Sequence, residues 1–95
     1  MTYFWLSFCS SDMPEGEQFL GGCLIEADDI DDAIKKSHRR GCNPGGEVVC
    51  LQIDAKREPN LALFKLNHLY SKQELIDMGE YRSWQQAIDS GGDVI

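Results

Sequence analysis

Three features predict an α+β fold, a small antiparallel sheet in the order β-β-α-β with one main helix on a face and two short C-terminal helices. Residues 2–10, 18–26 and 47–53 are rich in the apolar, aromatic and β-branched residues that favour strands. Residues 28–40 carry apolar side chains at helical spacing. Ser71-Lys72-Gln73-Glu74 has the S-x-x-E pattern of a capping box, in which a hydroxyl and a carboxylate satisfy each other's backbone amides at a helix start.

The first strand alternates Phe4, Leu6 and Phe8 with Tyr3, Trp5, Ser7 and Cys9, and the first set is the better core face. Turn formers fill Ser11 to Glu17, so strands 1 and 2 are expected to form a hairpin with a long loop. Gly21-Gly22 inside strand 2 predicts a bulge or the close approach of another backbone. In the helix, Ala27, Ile30, Ala33, Ile34 and Ser37 share a face. Asp28 or Asp29 can cap its start, and Gly41 can end it in a left-handed conformation. Cys42-Asn43-Pro44-Gly45-Gly46 is a tight loop into the buried third strand, 47–53. Residues 54–60 read as a loop, and 61–70 as either a fourth, edge strand or irregular structure. Tyr70 and Leu75 are spaced as a hydrophobic staple around the capping box, whose short helix ends at Gly79. Ser83 to Gln86 repeats the box pattern for a last helix to about Asp89, and a tail from Gly91 is expected to fray.

With 95 residues the chain is read as one domain, 1–95, with the sheet and main helix in 1–53. So small a core makes homo-oligomerisation a reasonable expectation. Its formal net charge of −7 opposes direct nucleic-acid binding, where phosphate neutralisation dominates affinity. No apolar run approaches the roughly 20 residues that span a bilayer, so no membrane partner is expected. The apolar start lacks a basic region and a small-residue cleavage site, which predicts a cytoplasmic location, in the host cytoplasm for a viral protein. Cys9, Cys23, Cys42 and Cys50 form no C-x-x-C pair, which favours reduced thiols over disulfides or zinc. No metal and no cofactor are expected, and no motif for catalysis is found, so the chain is read as a non-enzyme.

The acidic cluster Asp28, Asp29, Asp31 and Asp32 lacks the spacing of a calcium loop and complements a helix N-terminus instead. Lys35, Lys36, Arg39 and Arg40 are four of the nine basic residues and span an arc of roughly 140° opposite the apolar face. The plain reading is complementation of the helix C-terminus and i,i+4 pairing of Asp31 with Lys35 and Asp32 with Lys36. The glycine-rich loop that follows suggests more, because bare loop amides can form an anion-binding concavity. Lys36, Arg39 and Arg40 would then neutralise phosphate, and Asn43, Gly45 and Gly46 would shape the loop. Tyr3 or Trp5 could stack a base. Burial of that pair beneath the C-terminal helices is the competing reading, favoured because large exposed aromatics are uncommon. His38 and Cys42 have the spacing of a ligand pair but lack partners for a zinc site.

Phe4-Trp5-Leu6-Ser7-Phe8, Gln18-Phe19-Leu20-Gly21 with Ile25-Glu26-Ala27, and Asn43-Pro44-Gly45-Gly46-Glu47-Val48 together resemble a group of small uncharacterised bacteriophage and prophage proteins. The resemblance covers residues 3–53, and the region Leu69–Leu75 weakly. It implies an accessory, anti-defence role and carries no catalytic motif. The resulting expectation is a protein that sequesters a small anionic, nucleotide-like ligand. The alternative is an acidic inhibitor that blocks a host protein or mimics nucleic-acid charge.

Overall fold

The computed structural model describes residues 2–53, 64–91 and 93–94. Strands β1 (Thr2–Cys9), β2 (Phe19–Ala27) and β3 (Glu47–Ile53) form an antiparallel sheet, with helix α1 (Ile30–Arg39) between β2 and β3. Helices α2 (Lys72–Asp77) and α3 (Tyr81–Gly91) follow, then a two-residue strand β4 (Asp93–Val94). The strand order is β2-β1-β3-β4. The expected β-β-α-β order, main helix and two short C-terminal helices are all present.

Because side chains alternate across a strand, the register sorts the sheet into two faces. Phe4, Leu6 and Phe8 share one face with Cys23, Ile25 and Cys50, and this face packs against Ala33 of α1 and Cys42. Trp5 lies between Leu24 and Leu51 on the other face, in a second core with Phe64, Tyr70, Leu75 and Trp84. Both faces are therefore buried, and the sheet is the middle of three layers. The face opposite Phe4 is a core of its own, closed by the α2 and α3 side.

The glycine pair permits this double packing. A Cβ on Gly22 would lie 2.4 Å from Trp5 Cζ2, and one on Gly21 would lie 2.9 Å from the Tyr70 carbonyl oxygen. The β1–β2 register also shifts at Phe8/Cys9, opposite Gly21 and Phe19. Bulge and close approach, both expected from the sequence, occur together.

Of the two readings of 61–70, the described part follows the irregular one. Residues 61–63 of the segment read as a strand or irregular structure lie outside the described residues. From 64 to 70 the chain makes only isolated bridges, Gly22 with Tyr70 and Leu24 with Leu66. It acts as a strap on the outer edge of β2: Gly22 and Tyr70 exchange N–H···O bonds of 2.9 and 2.7 Å, and Asn67 N–H donates to the Leu24 carbonyl at 3.0 Å. Such cover removes the exposed donors and acceptors that make edge strands prone to pairing with other chains. The actual fourth strand is Asp93–Val94, in the tail expected to fray, paired with Cys50 and Val49 of β3. Two residues are too few to leave an alternation pattern in a sequence.

Both helix termini of α2 follow local chemistry. The Ser71 hydroxyl accepts from Glu74 N–H at 3.1 Å, and the Glu74 carboxylate accepts from Ser71 N–H at 3.2 Å, closing the predicted box. At the other end Gly79, at φ +75°, donates to the Ile76 carbonyl while Glu80 donates to Leu75, a Schellman termination. The next helix starts at once, since Trp84 N–H already reaches the Glu80 carbonyl at 3.1 Å. The start expected at Ser83 is thereby moved back to Tyr81, and the helix extends past Asp89 to Gly91. No helix among the described residues is long and apolar enough to cross a membrane.

Candidate anion site

The C-terminal half of α1 carries the basic cluster. The helix begins where the Asp29 side chain accepts from Asp32 N–H at 2.8 Å. It ends in a Schellman motif in which Gly41, at φ +72°, donates to the His38 carbonyl and Cys42 to the Ser37 carbonyl. Arg40 N–H bonds the Lys36 carbonyl at 2.8 Å. The Lys36, Ser37 and His38 carbonyls of the last turn are thus supplied with backbone donors.

Lys36, Arg39 and Arg40 line one cavity of about 230 Å³. Lys36 is the most constrained of the three: its Nζ donates to the Glu26 carbonyl at 3.0 Å and lies 3.5 Å from Asp32 Oδ2. Arg39 Nη2 lies 3.9 Å from Asp32 Oδ1, and its side chain is 67% exposed. Arg40 is the cap residue, with an exposed side chain. The Asp32 carboxyl is held below the usual carboxylate range, first by Asp28 N–H, which it accepts, then by Lys36 and Arg39. The predicted Asp32–Lys36 pair is therefore present, and it is also part of the cavity's electrostatics.

The other expected members lie apart from this cavity. Asn43 Oδ1 accepts from Gly45 N–H at 2.8 Å, and its Nδ2 donates to Ser37 Oγ at 3.0 Å and sits 3.3 Å from His38 Nε2. The loop amide offered to an anion in the sequence reading is thus already taken by the loop's own asparagine, an Asx turn. Gly46, at φ +79°, is pressed onto β1, where a Cβ would lie 2.4 Å from the Cys9 carbonyl oxygen. The glycines serve a left-handed turn and a close backbone approach.

Tyr3 and Trp5 belong to the opposite layer. Trp5 is 0% exposed and stacks on Trp84 at 4.3 Å with an interplanar angle of 7°, so no face is left for a ligand's base. The reading that buried it under the C-terminal helices holds. The Glu26 carboxylate beside Tyr3, as hydrogen-bond acceptor and as a charge, raises its phenol above the usual value. The structure brings together Lys36, Arg39 and Arg40, and separates them from Asn43, Gly45, Gly46, Tyr3 and Trp5.

Cys23, Cys42 and Cys50 are buried in the α1-side core outside any disulfide, and Cys9 is partly exposed. Burial, then the neighbouring Cys42, pushes the Cys23 thiol far up, away from the reactive thiolate form. Cys42 Sγ donates to the Ser37 carbonyl at 3.6 Å while His38 is exposed, so the suggested His38–Cys42 pair does not form. No group of three or more His, Cys, Asp or Glu among the described residues could hold a metal ion.

One feature escaped the sequence reading. A larger cavity, about 530 Å³, opens at the N-terminal end of α1, with Phe4 and Ile30 among its lining and Asp28, Asp29 and Asp31 beside them. The aspartates were legible as helix-start residues; the gap beside Phe4 depends on how far the helix stands from the strand ends, which no local pattern encodes. No protein-family model, no curated protein and no solved structure matches this chain.

Proposed function

We propose that this chain is a non-enzymatic binding protein for a small anionic ligand held at the C-terminal turn of α1. The observation that carries the reading is the convergence of Lys36, Arg39 and Arg40 on one cavity of about 230 Å³. Cations often collect at a helix C-terminus to offset its partial negative charge. Here the carbonyls of Lys36, Ser37 and His38 already accept backbone N–H groups, which lessens that need and leaves cationic capacity over. The formal charge of −7 opposes approach of an anion from afar. Salt screens that repulsion beyond about 8 Å, so the three local cations dominate at contact. Three charge-assisted contacts of about 1.5–2 kcal/mol each correspond to binding between about half-millimolar and tens of micromolar.

Calorimetric titration with inorganic phosphate tests this. The wild type is expected to bind, and Arg39→Ala/Arg40→Ala to lose about a hundredfold or more in affinity, the loss of two charged contacts. Equal binding by the two proteins contradicts the reading.

A second reading, contact between the acidic surface and a basic protein, is favoured by the 530 Å³ cavity flanked by Asp28, Asp29 and Asp31. It predicts binding to polylysine that weakens with salt and falls in Asp28→Asn/Asp31→Asn. Binding unchanged by that double substitution excludes this cavity as the contact.

A further inference from the structure

Resting on the anion-binding reading above, we infer that the α1 cavity takes a phosphomonoester dianion and recognises the phosphate alone, whatever it is attached to. Charge matching is the first argument. Lys36, Arg39 and Arg40 bring three positive charges to the cavity, and Asp32, 3.5 and 3.9 Å from two of them, offsets one. Two positive charges remain. A phosphomonoester carries about −1.5 to −2 near neutral pH, so it balances that excess, whereas a phosphodiester carries a single charge and leaves half of it unmet.

Lining gives the second argument. Among the described residues, Lys36, Arg39 and Arg40 alone line the cavity. They supply charge and donors for phosphoryl oxygens and no acceptor to read a sugar hydroxyl or a base N–H.

The third argument is the surroundings. Among the described residues, no aromatic side chain lines the cavity. Trp5 is buried in the other layer against Trp84, and Tyr3 lies beside Glu26. Base recognition by stacking on an aromatic ring has no platform here. Arg39, with 67% of its side chain exposed, and Arg40, also exposed, are free to close on a tetrahedral anion in the bidentate geometry that guanidinium groups favour. Lys36 is pinned by the Glu26 carbonyl and serves as a fixed charge.

The test compares inorganic phosphate, glycerol 3-phosphate, AMP, cyclic AMP and adenosine by calorimetry, at low ionic strength and slightly above neutral pH. Phosphate, glycerol 3-phosphate and AMP are expected to bind within about threefold of one another, because each presents the same charged group. Cyclic AMP, one charge short, is expected about tenfold weaker, and adenosine not to bind. Arg40→Gln and Arg39→Gln, both at exposed positions, are each expected to weaken all three monoesters together, with helix content unchanged by circular dichroism. Cyclic AMP binding as tightly as AMP, or AMP binding far more tightly than glycerol 3-phosphate, overturns the phosphomonoester assignment while leaving anion binding at α1 intact. Failure of every phosphate compound to bind overturns both.

Discussion

Gly22 shows how much of this fold depends on single atoms. A Cβ there would meet the buried indole of Trp5. Gly22→Ala is expected to destabilise by about 1–3 kcal/mol through overpacking, measured as a lower urea midpoint. Gly16→Ala, at a turn glycine with nothing within 4 Å of its Cβ, bears only the penalty of its φ of +88°, about 1 kcal/mol. Equal losses at the two sites would contradict the packing described. The paired glycines were legible as a bulge or close approach; that an indole was the neighbour was not, because Trp5 and Gly22 meet only through the β1–β2 register. Charged residues add a pH dependence. The Glu74 carboxyl is lowered first by His68, whose Nε2 lies 3.0 Å away, and then by Ser71 N–H; Asp32 is lowered by Asp28 N–H. Both folded-state values lie below the unfolded ones. Their stabilisation is thus present above the unfolded pKa, near 4, and is lost as pH falls through the folded value. The wild type is expected to lose stability more steeply than Asp32→Asn/Glu74→Gln as pH falls from about 5 to 3, in thermal melts. Parallel slopes would contradict these assignments.

Among the elements, the helix ends were the most legible parts of the chain. Gly41 and Gly79 both close Schellman motifs, and Ser71 with Glu74 closes the expected box. Ser71→Ala is expected to cost about 1 kcal/mol, read from chemical denaturation. Helix α3 was misplaced at its start because S-x-x-Q recurs at Ser83, while the winning signal was the tight turn after Gly79, which delivers Glu80 directly as the first carbonyl. Its packing is also less settled than that of the sheet. Among the described residues, the buried indole N–H groups of Trp5 and Trp84 have no acceptor. Stacking contributes about 0.5–1.5 kcal/mol and an unsatisfied buried donor costs about 1–3 kcal/mol. The α3 layer should therefore open before the β1–β3 ladder does. Hydrogen exchange is expected to show the α3 amides exchanging faster than those of Phe4 to Phe8, and the reverse order would refute this ranking.

At the scale of the whole molecule, three layers were harder to read than two. The alternation of β1 marked Phe4, Leu6 and Phe8 as a core face, yet Tyr3 and Trp5 carry enough apolar surface to support a second core, and only the covering strap and helices decide the matter. The candidate site was legible in part for the same reason. Lys36, Arg39 and Arg40 are neighbours on one helix, so their convergence follows from helical spacing. The loop at Asn43–Gly46 is adjacent in sequence but committed to its own turn and to the Cys9 carbonyl, a long-range contact. The acidic end of α1 and its basic end give the molecule two charged regions of opposite sign within one helix. Amide chemical-shift mapping during titration with inorganic phosphate tests this account most directly. It predicts shifts that saturate at Lys36 to Gly41, with Asn43 to Gly46 and Tyr3 to Trp5 still. Saturating shifts centred on the glycine loop or on the aromatic strand, or no saturable shifts at all, would contradict it.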